Sequence, residues 1–222
     1  MPETARAAIL GRLHAAAGSG SALPALGKIL PGPLSSKGWS PAERLTRLRR
    51  AMEAVKTEFL EATEEGWPEA VHDFLVSEGA KKVAYGPATE AGRALAAAFP
   101  PGTLPELVPY DRPVEELKGA LFTDIDAGFT AVRSAIAETG SLVLWPSPEE
   151  PRLLSLVPPL HVALLSSATI RETFLETIRE EGWARRMPAN ALLISGPSKT
   201  ADIEQTLAYG VHGPKRLVVV LV

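Results

Sequence analysis

Two short stretches place small, polar and ionisable residues in an order that could bind or transform an anion. In the first, Ser195-Gly196-Pro197-Ser198-Lys199-Thr200 follows the apolar run Ala191-Leu192-Leu193-Ile194. The pattern predicts a buried strand, a glycine–proline turn and a helix beginning near Thr200. Free N–H groups at such a helix start, with Ser198, Lys199 and Thr200 beside them, would suit a carboxylate or a phosphate. The same residues fit a capping arrangement, with Ser198 or Thr200 as the cap and Lys199 in solvent, and the sequence leaves both open. In the second stretch, Glu138-Thr139-Gly140-Ser141, Gly140 can supply the turn from a helix into a following strand. Glu138 could then serve as general base, nucleophile or hydrogen-bond anchor. The alternative is a glycine-closed helix end with its glutamate in water.

Two further features belong beside these. Arg152 and His161 stand at the ends of a stiff segment containing Pro158 and Pro159. An arginine can hold a carboxylate with two parallel hydrogen bonds, whereas a single histidine ahead of a strand is commonly structural. Gly210-Val211-His212-Gly213-Pro214 offers His212, which could fold back on a site or simply close a turn. The topological expectation is that Glu138–Ser141, Ser195–Thr200 and His212 meet at the carboxyl edge of an open α/β sheet, where ligands usually bind.

Several chemistries are excluded. The chain of 222 residues has no cysteine, hence no disulfide, thiolate nucleophile, zinc–cysteine site or cysteine-ligated iron–sulfur cluster of its own. His14, His72, His161 and His212 are scattered without paired spacing, so no metal site is expected. The Ser195 loop is not a nucleoside-triphosphate phosphate loop, because Leu193 and Ser198 stand where its two glycines belong. Neither a Gly-x-Ser-x-Gly elbow nor a Gly-x-Gly-x-x-Gly fingerprint is present, and Ser195 and Lys199 are four apart rather than three. A net charge of −3 argues against a strongly basic nucleic-acid binder. Arg44, Arg47, Arg49 and Arg50 share their segment with Glu43 and Glu53 and read as a solvated helix face. No apolar stretch reaches the roughly 18 residues of a membrane span. The start Met1-Pro2-Glu3-Thr4 lacks a basic region followed by an apolar one, so a cytoplasmic location is expected.

The elements that must position these residues follow from periodicity. A helix is expected over 5–17, with Ile9, Leu10 and Leu13 on one side, then a glycine-, proline- and serine-rich arm over 18–40. Ser40-Pro41-Ala42-Glu43 is a helix start with a capping box, and the stripe Leu45, Leu48, Met52, Val55, Phe59 predicts a helix to about residue 65. Beyond it, helices are expected over 68–77, 88–98, 114–118, 127–137, 170–181 and 201–209. Strands are expected over 82–85, 107–110, 121–125, 141–145, 161–165, 191–195 and 216–222. Strands alternating with helices predict a mostly parallel α/β sheet flanked by helices, residues 67–222, preceded by an N-terminal helical extension and arm, residues 1–66.

At this point four stretches carry a resemblance. Ala137-Glu138-Thr139-Gly140-Ser141-Leu142-Val143-Leu144, Leu156-x-Pro158-Pro159-x-His161, Ser195-Gly196-Pro197-Ser198-Lys199-Thr200-Ala201-Asp202-Ile203-Glu204 and Gly210-Val211-His212-Gly213-Pro214 together resemble the LUD-domain family, in particular its lactate-utilization members. The resemblance runs from about residue 68 to 222. It implies a fold similar to the sugar-isomerase and CoA-transferase-like group and a part in oxidising L-lactate to pyruvate. It further implies no cofactor in this chain, with iron–sulfur clusters in partner lactate-utilization subunits. Two other readings stay open: a stand-alone enzyme or binding protein for a small carboxylate or phosphorylated metabolite, and a purely structural assembly subunit. The purified chain is expected to show no iron–sulfur absorbance near 400 nm after gel filtration, since it brings no thiolate; a cluster band co-eluting with it would overturn that.

Overall fold

Val218-Val219-Val220-Leu221 is apolar at every position, and a strand of that kind needs cover on both faces. The computed structural model, which describes residues 5–18, 36–201, 207–210 and 212–222, provides it. This strand, β12 (Arg216–Leu221), lies inside a six-stranded sheet with β1 (Glu58–Glu61), β2 (Lys82–Tyr85), β3 (Glu106–Pro109), β4 (Ala127–Ala131) and β7 (Leu160–Leu165). The order is β1-β12-β7-β4-β2-β3, and every neighbouring pair is parallel. The expected mostly parallel α/β sheet is therefore present.

Parallel neighbours need crossovers, and these supply the outer layers. One face of the sheet (Phe129, Val162, Val218, Val220) packs on helices α3 (Trp67–Ser77) and α4 (Glu90–Ala98). Trp67 stacks on Phe129 with ring centroids 5.4 Å apart. The opposite face (Ala163, Leu165, Leu217, Val219) packs on helix α2 (Pro41–Glu53) and on a second sheet of order β8-β5-β6-β9. Those strands are β5 (Ser134–Ile136), β6 (Ser141–Leu144), β8 (Ile170–Arg171) and β9 (Leu192–Ile194). Trp183, beyond helix α7 (Phe174–Glu180), covers the small sheet at Ile136 and Val143. Helices α5 (Val114–Thr123) and α6 (Leu153–Leu156) enclose Leu117, Leu121, Ile125 and Leu154 over β2.

The chain divides into two compact units, residues 1–35 and 36–222. Helix α1 (Ala5–Gly18) belongs to the first, and its Ile9, Leu10 and Leu13 are exposed. The second unit begins well ahead of residue 67, where the sequence placed its boundary. The reason is that α2 buries Leu48 and Met52 completely and β1 pairs in register with β12, Phe59 opposite Val219. The arm expected over 18–40 falls largely outside the described residues.

Other expectations are corrected. Helix α2 has its capping box at Ser40 and Glu43 but stops at Glu53 rather than near residue 65. Lys56 turns into the left-handed region (φ 70°), and Phe59 joins a strand instead of extending the helical stripe. Leu121–Ile125 is not a strand; Leu117 and Leu121, one helical turn apart, put α5 through to Thr123 on the sheet. The helix expected over 127–137 is two strands, β4 and β5. Gly128 explains part of this, because a Cβ there would lie 2.0 Å from the Leu154 carbonyl oxygen, a separation only a glycine in the strand allows. The segment 170–181 divides into β8 and the shorter α7. Thr200 and Leu207–Tyr209, expected to open and close a helix, lie in strands: β10 (Lys199–Ala201) pairs antiparallel with β11 (Leu207–Tyr209), and the rest of that expectation, residues 202–206, lies outside the described residues.

One buried carboxylate ties α2 to the rest. Glu172, only 2% exposed, accepts hydrogen bonds from the Ser36 hydroxyl (2.8 Å), the Lys37 N–H (2.6 Å) and the Trp39 N–H (2.8 Å). Arg44 of α2 adds a charged pair at 3.2 Å. Burial alone pushes this carboxyl up, but the three donors and Arg44 outweigh it and hold it below the ordinary value of 4.5. A depressed carboxyl stabilises the fold above its unfolded pKa, and the contribution disappears as pH falls through the folded one. Glu172→Gln is expected to cost about 2–3 kcal/mol at pH 7 in urea unfolding, and progressively less as pH falls below 4.5 towards the depressed folded pKa, where the stabilisation by the charge is lost. An equal cost at pH 7 and pH 3.5 would contradict this account.

Candidate functional site

Antiparallel pairing of β6 with β9 sets Leu142 opposite Ile194, so the next pair along the ladder is Ser141 and Ser195. Their hydroxyls meet at 2.8 Å, and Thr139 bonds Ser141 at 2.9 Å. The two stretches singled out by their chemistry are thus joined through three hydroxyls. The turn from β5 to β6 carries Glu138, Thr139 and Gly140; it is a hairpin, not the helix end expected.

Beyond Ser195 the chain folds against the loop entering β12. The Ser198 N–H donates to the Pro214 carbonyl (2.8 Å), and the Gly210 N–H donates to the Ser198 carbonyl (2.9 Å). Between these loops and β7 lies a cavity of about 230 Å³. Its floor is buried Ser155, His161 and Leu217, and Ser195, Ser198 and His212 stand at its wall and mouth. Gly196 also lines it. Three of the four stretches carrying the resemblance line this cavity, and the fourth is hydrogen-bonded to it through Ser141. The cavity sits at the amino ends of β7 and β12, since Pro214 precedes β12 and His161 is the second residue of β7. The expected carboxyl-edge location is therefore corrected.

His161 is 1% exposed, and its Nε2 meets the Thr130 hydroxyl at 2.8 Å. Burial pushes its pKa down to about 3, so near neutral pH it serves as a hydrogen-bonding group and not as a cation. Among the described residues no carboxylate lines the cavity, so an anion entering it meets no like charge.

The remaining sequence candidates go elsewhere. Glu138 borders a separate cleft with Trp39, Arg47 and Arg50, and its carboxylate meets Lys37 at 3.1 Å. Lys199 and Thr200 belong to β10, and neither lines the cavity; no helix N-terminus supports them. Arg152 is exposed at the start of α6, where its carbonyl accepts from the Ser155 hydroxyl at 3.0 Å. Gly140 and Gly196 have a packing role: a Cβ at Gly140 (φ 61°) would lie 2.5 Å from the Ala51 Cβ, and one at Gly196 would lie 2.8 Å from a Val55 methyl. Both glycines therefore receive the C-terminal turn of α2 and the chain just past it.

Sequence reading missed Ser155 and Thr130, which carry no motif and gain meaning only from contact. It also missed Glu150, whose carboxylate accepts the Ala131 N–H at 3.0 Å beside the carboxyl end of β4. Burial pushes that carboxyl up to about 7.

The imidazole provides a test. The folded chain keeps His161 neutral down to about pH 3, whereas the unfolded chain protonates it near pH 6.5, so the unfolded state binds more protons between the two. Stability falls as pH drops through that window, by up to about 1.4 kcal/mol per pH unit. From pH 7 to pH 5 the wild type is expected to lose about 2 kcal/mol more than His161→Gln in urea unfolding. Equal losses would show that the ring is not desolvated.

The LUD domain family model matches residues 45–222. An uncharacterized protein of Neisseria meningitidis is 42% identical over 184 residues, covering 82% of this chain and 78% of that one. Lactate utilization protein C of Exiguobacterium is 33% identical over 117 residues, covering 51% of each chain; that of Deinococcus radiodurans is 36% identical over 98 residues, covering 44% of this chain and 46% of its own. The matches thus span about half of these lactate utilization proteins. A crystal structure of a DUF162 family protein from Deinococcus radiodurans superposes with a TM-score of 0.62 at 22% identity, covering 82% of this chain and 98% of that one, which shows a shared fold. With its matched region containing every strand from β1 to β12, this chain belongs to the LUD-domain family.

Proposed function

We propose that this chain is a component of an L-lactate utilization system and that the cavity between β7, β9 and β12 takes a small organic acid of the lactate and pyruvate class. The observation that carries this reading is the convergence of the family-like stretches on one cavity: Leu156 and His161, Ser195 and Ser198, and His212 line it together. Its chemistry supports a small, polar occupant. Hydroxyls and neutral imidazole can bond a carboxylate and an adjacent hydroxyl or carbonyl, and a volume of about 230 Å³ falls below that of sites for drug-sized ligands.

In this reading the chain supplies binding and assembly, and electrons pass through partner subunits that carry iron–sulfur clusters, because a chain without cysteine offers no thiolate to hold one. The relatives named for lactate utilization support the assignment. Among the described residues no helix is long and apolar enough to cross a membrane, which agrees with the proposed cytoplasmic location.

Melting of the purified chain tests the cavity. L-lactate or pyruvate at one hundred times its Kd stabilises a folded chain by about 2.7 kcal/mol, and a rise in Tm is expected with one of them. Ser195→Ala and His212→Ala, both at the mouth, should each abolish most of that rise while leaving the ligand-free Tm nearly unchanged. A Tm unmoved by both acids and by inorganic phosphate would favour a structural subunit instead. Deleting the gene should abolish growth on L-lactate; normal growth, with no duplicate gene, would remove the lactate assignment.

A further inference from the structure

A second cleft shares no lining residue with the proposed acid site and has a different character. It measures about 800 Å³, and its lining includes Arg133, Trp145, Arg185 and Arg186 together with Glu180 and Glu181. The Arg133 guanidinium carbon sits over the Trp145 ring, 4.0 Å from its centroid. Its Nε is held by Glu181 at 2.6 Å, and Glu181 in turn accepts from the Trp183 indole at 2.9 Å. Trp183 is 4% exposed and packs edge-on against Trp145, centroids 5.4 Å apart. The guanidinium is thus fixed in orientation by a buried frame and presents a planar, cationic surface to the cleft, with its side chain 43% exposed. Arginine in that arrangement stacks on flat rings and bonds phosphate oxygens in pairs.

The charges around it do not cancel. Glu181 is engaged by Arg133, and Glu180 is paired with Arg171 at 3.0 Å. Arg185 and Arg186 are exposed and have no carboxylate partner among the described residues. Two guanidiniums without a carboxylate partner therefore line, together with a third, a concavity whose volume falls within the 300–1,000 Å³ of small-molecule sites. A protein interface of ordinary size would instead bury about 800 Å² of broad surface on each partner.

From this juxtaposition we infer that the cleft between Trp145 and the segment after α7 binds a nucleoside polyphosphate, its ring on the Arg133–Trp145 plate and its phosphates between Arg185 and Arg186. The inference does not depend on the lactate reading, because no residue is shared between the two sites.

Calorimetric titration of the full chain with ATP, adenosine and inorganic pyrophosphate tests it. ATP is expected to bind at least about tenfold more tightly than either fragment, which corresponds to about 1.4 kcal/mol. The charge reversal Arg185→Glu with Arg186→Glu lies on exposed positions and should leave the Tm unchanged while weakening ATP by at least tenfold. Trp145→Leu should reduce ATP affinity towards that of pyrophosphate. Arg47→Glu with Arg50→Glu, in the basic cleft beside Glu138, serves as control and should leave ATP binding intact. No ATP binding at millimolar concentration, an unchanged affinity in the Arg185 and Arg186 variant, or an equal loss in the control would each overturn the inference. Pyruvate or lactate melting shifts are read on a separate cavity, so either proposal can fail alone.

Discussion

The organisation of this protein depends on a carboxylate that cannot be left alone. Glu172 is buried at the end of the small sheet, where an unpaired charge would cost several kcal/mol. It is compensated by donors from residues 36–44, more than a hundred positions earlier in the chain. Satisfying that charge fixes where α2 begins and how it crosses the sheets. Its far end then has a single seat, against Gly140 and Gly196, where a side chain larger than hydrogen would collide with Ala51 or Val55. Those two glycines flank Ser141 and Ser195, so the electrostatic constraint at one end of the helix reaches the hydroxyl cluster at the other.

The two concavities divide the chemistry of the molecule. The smaller is formed where three backbone segments approach one another and is lined by hydroxyls, imidazoles and glycines. The larger is formed by side chains on a tryptophan-rich layer and carries net positive charge. Burial acts oppositely on His161 and Glu150. It lowers His161 to about 3 and raises Glu150 to about 7, so both favour their neutral forms within the protein.

Much of the fold was legible because several strands, parallel and antiparallel alike, announce themselves as short apolar runs. β2, β6, β7, β9 and β12 lie where such runs occur, and the capping box set the start of α2. Errors arose where local pattern and tertiary demand disagree. Ala127–Ala137 is rich in alanine and reads as helix, yet Gly128 must pass within reach of the α6 backbone and the segment becomes two strands. Leu121–Ile125 looks extended but continues the apolar face of α5. At the site, Ser195, Gly196, Ser198 and His212 were identifiable from their setting between glycines and prolines. Their grouping at the amino ends of β7 and β12 was not, because it follows from the antiparallel β6–β9 ladder. Ser155, Thr130 and Glu150 could not be singled out at all, since nothing in their neighbours' identity marks them.

The position of β12 has a consequence for how the chain is made. β1 is synthesised first among the main strands, and its sole neighbour in the sheet, β12, is the last. While the chain emerges from the ribosome, β1 has no ladder to join, because each of its pairs with β12 joins residues 160 positions apart, as Glu58 with Val218, and long-range pairing of this kind folds slowly. An unpaired strand in that interval invites pairing with other chains. Glu58 and Glu61 at its two ends, exposed in the finished fold, place negative charge on the strand throughout that wait, and after completion they are taken up by Arg216 and Arg49. The same two carboxylates thus carry charge on the strand before it pairs and hold ion pairs at the finished edge.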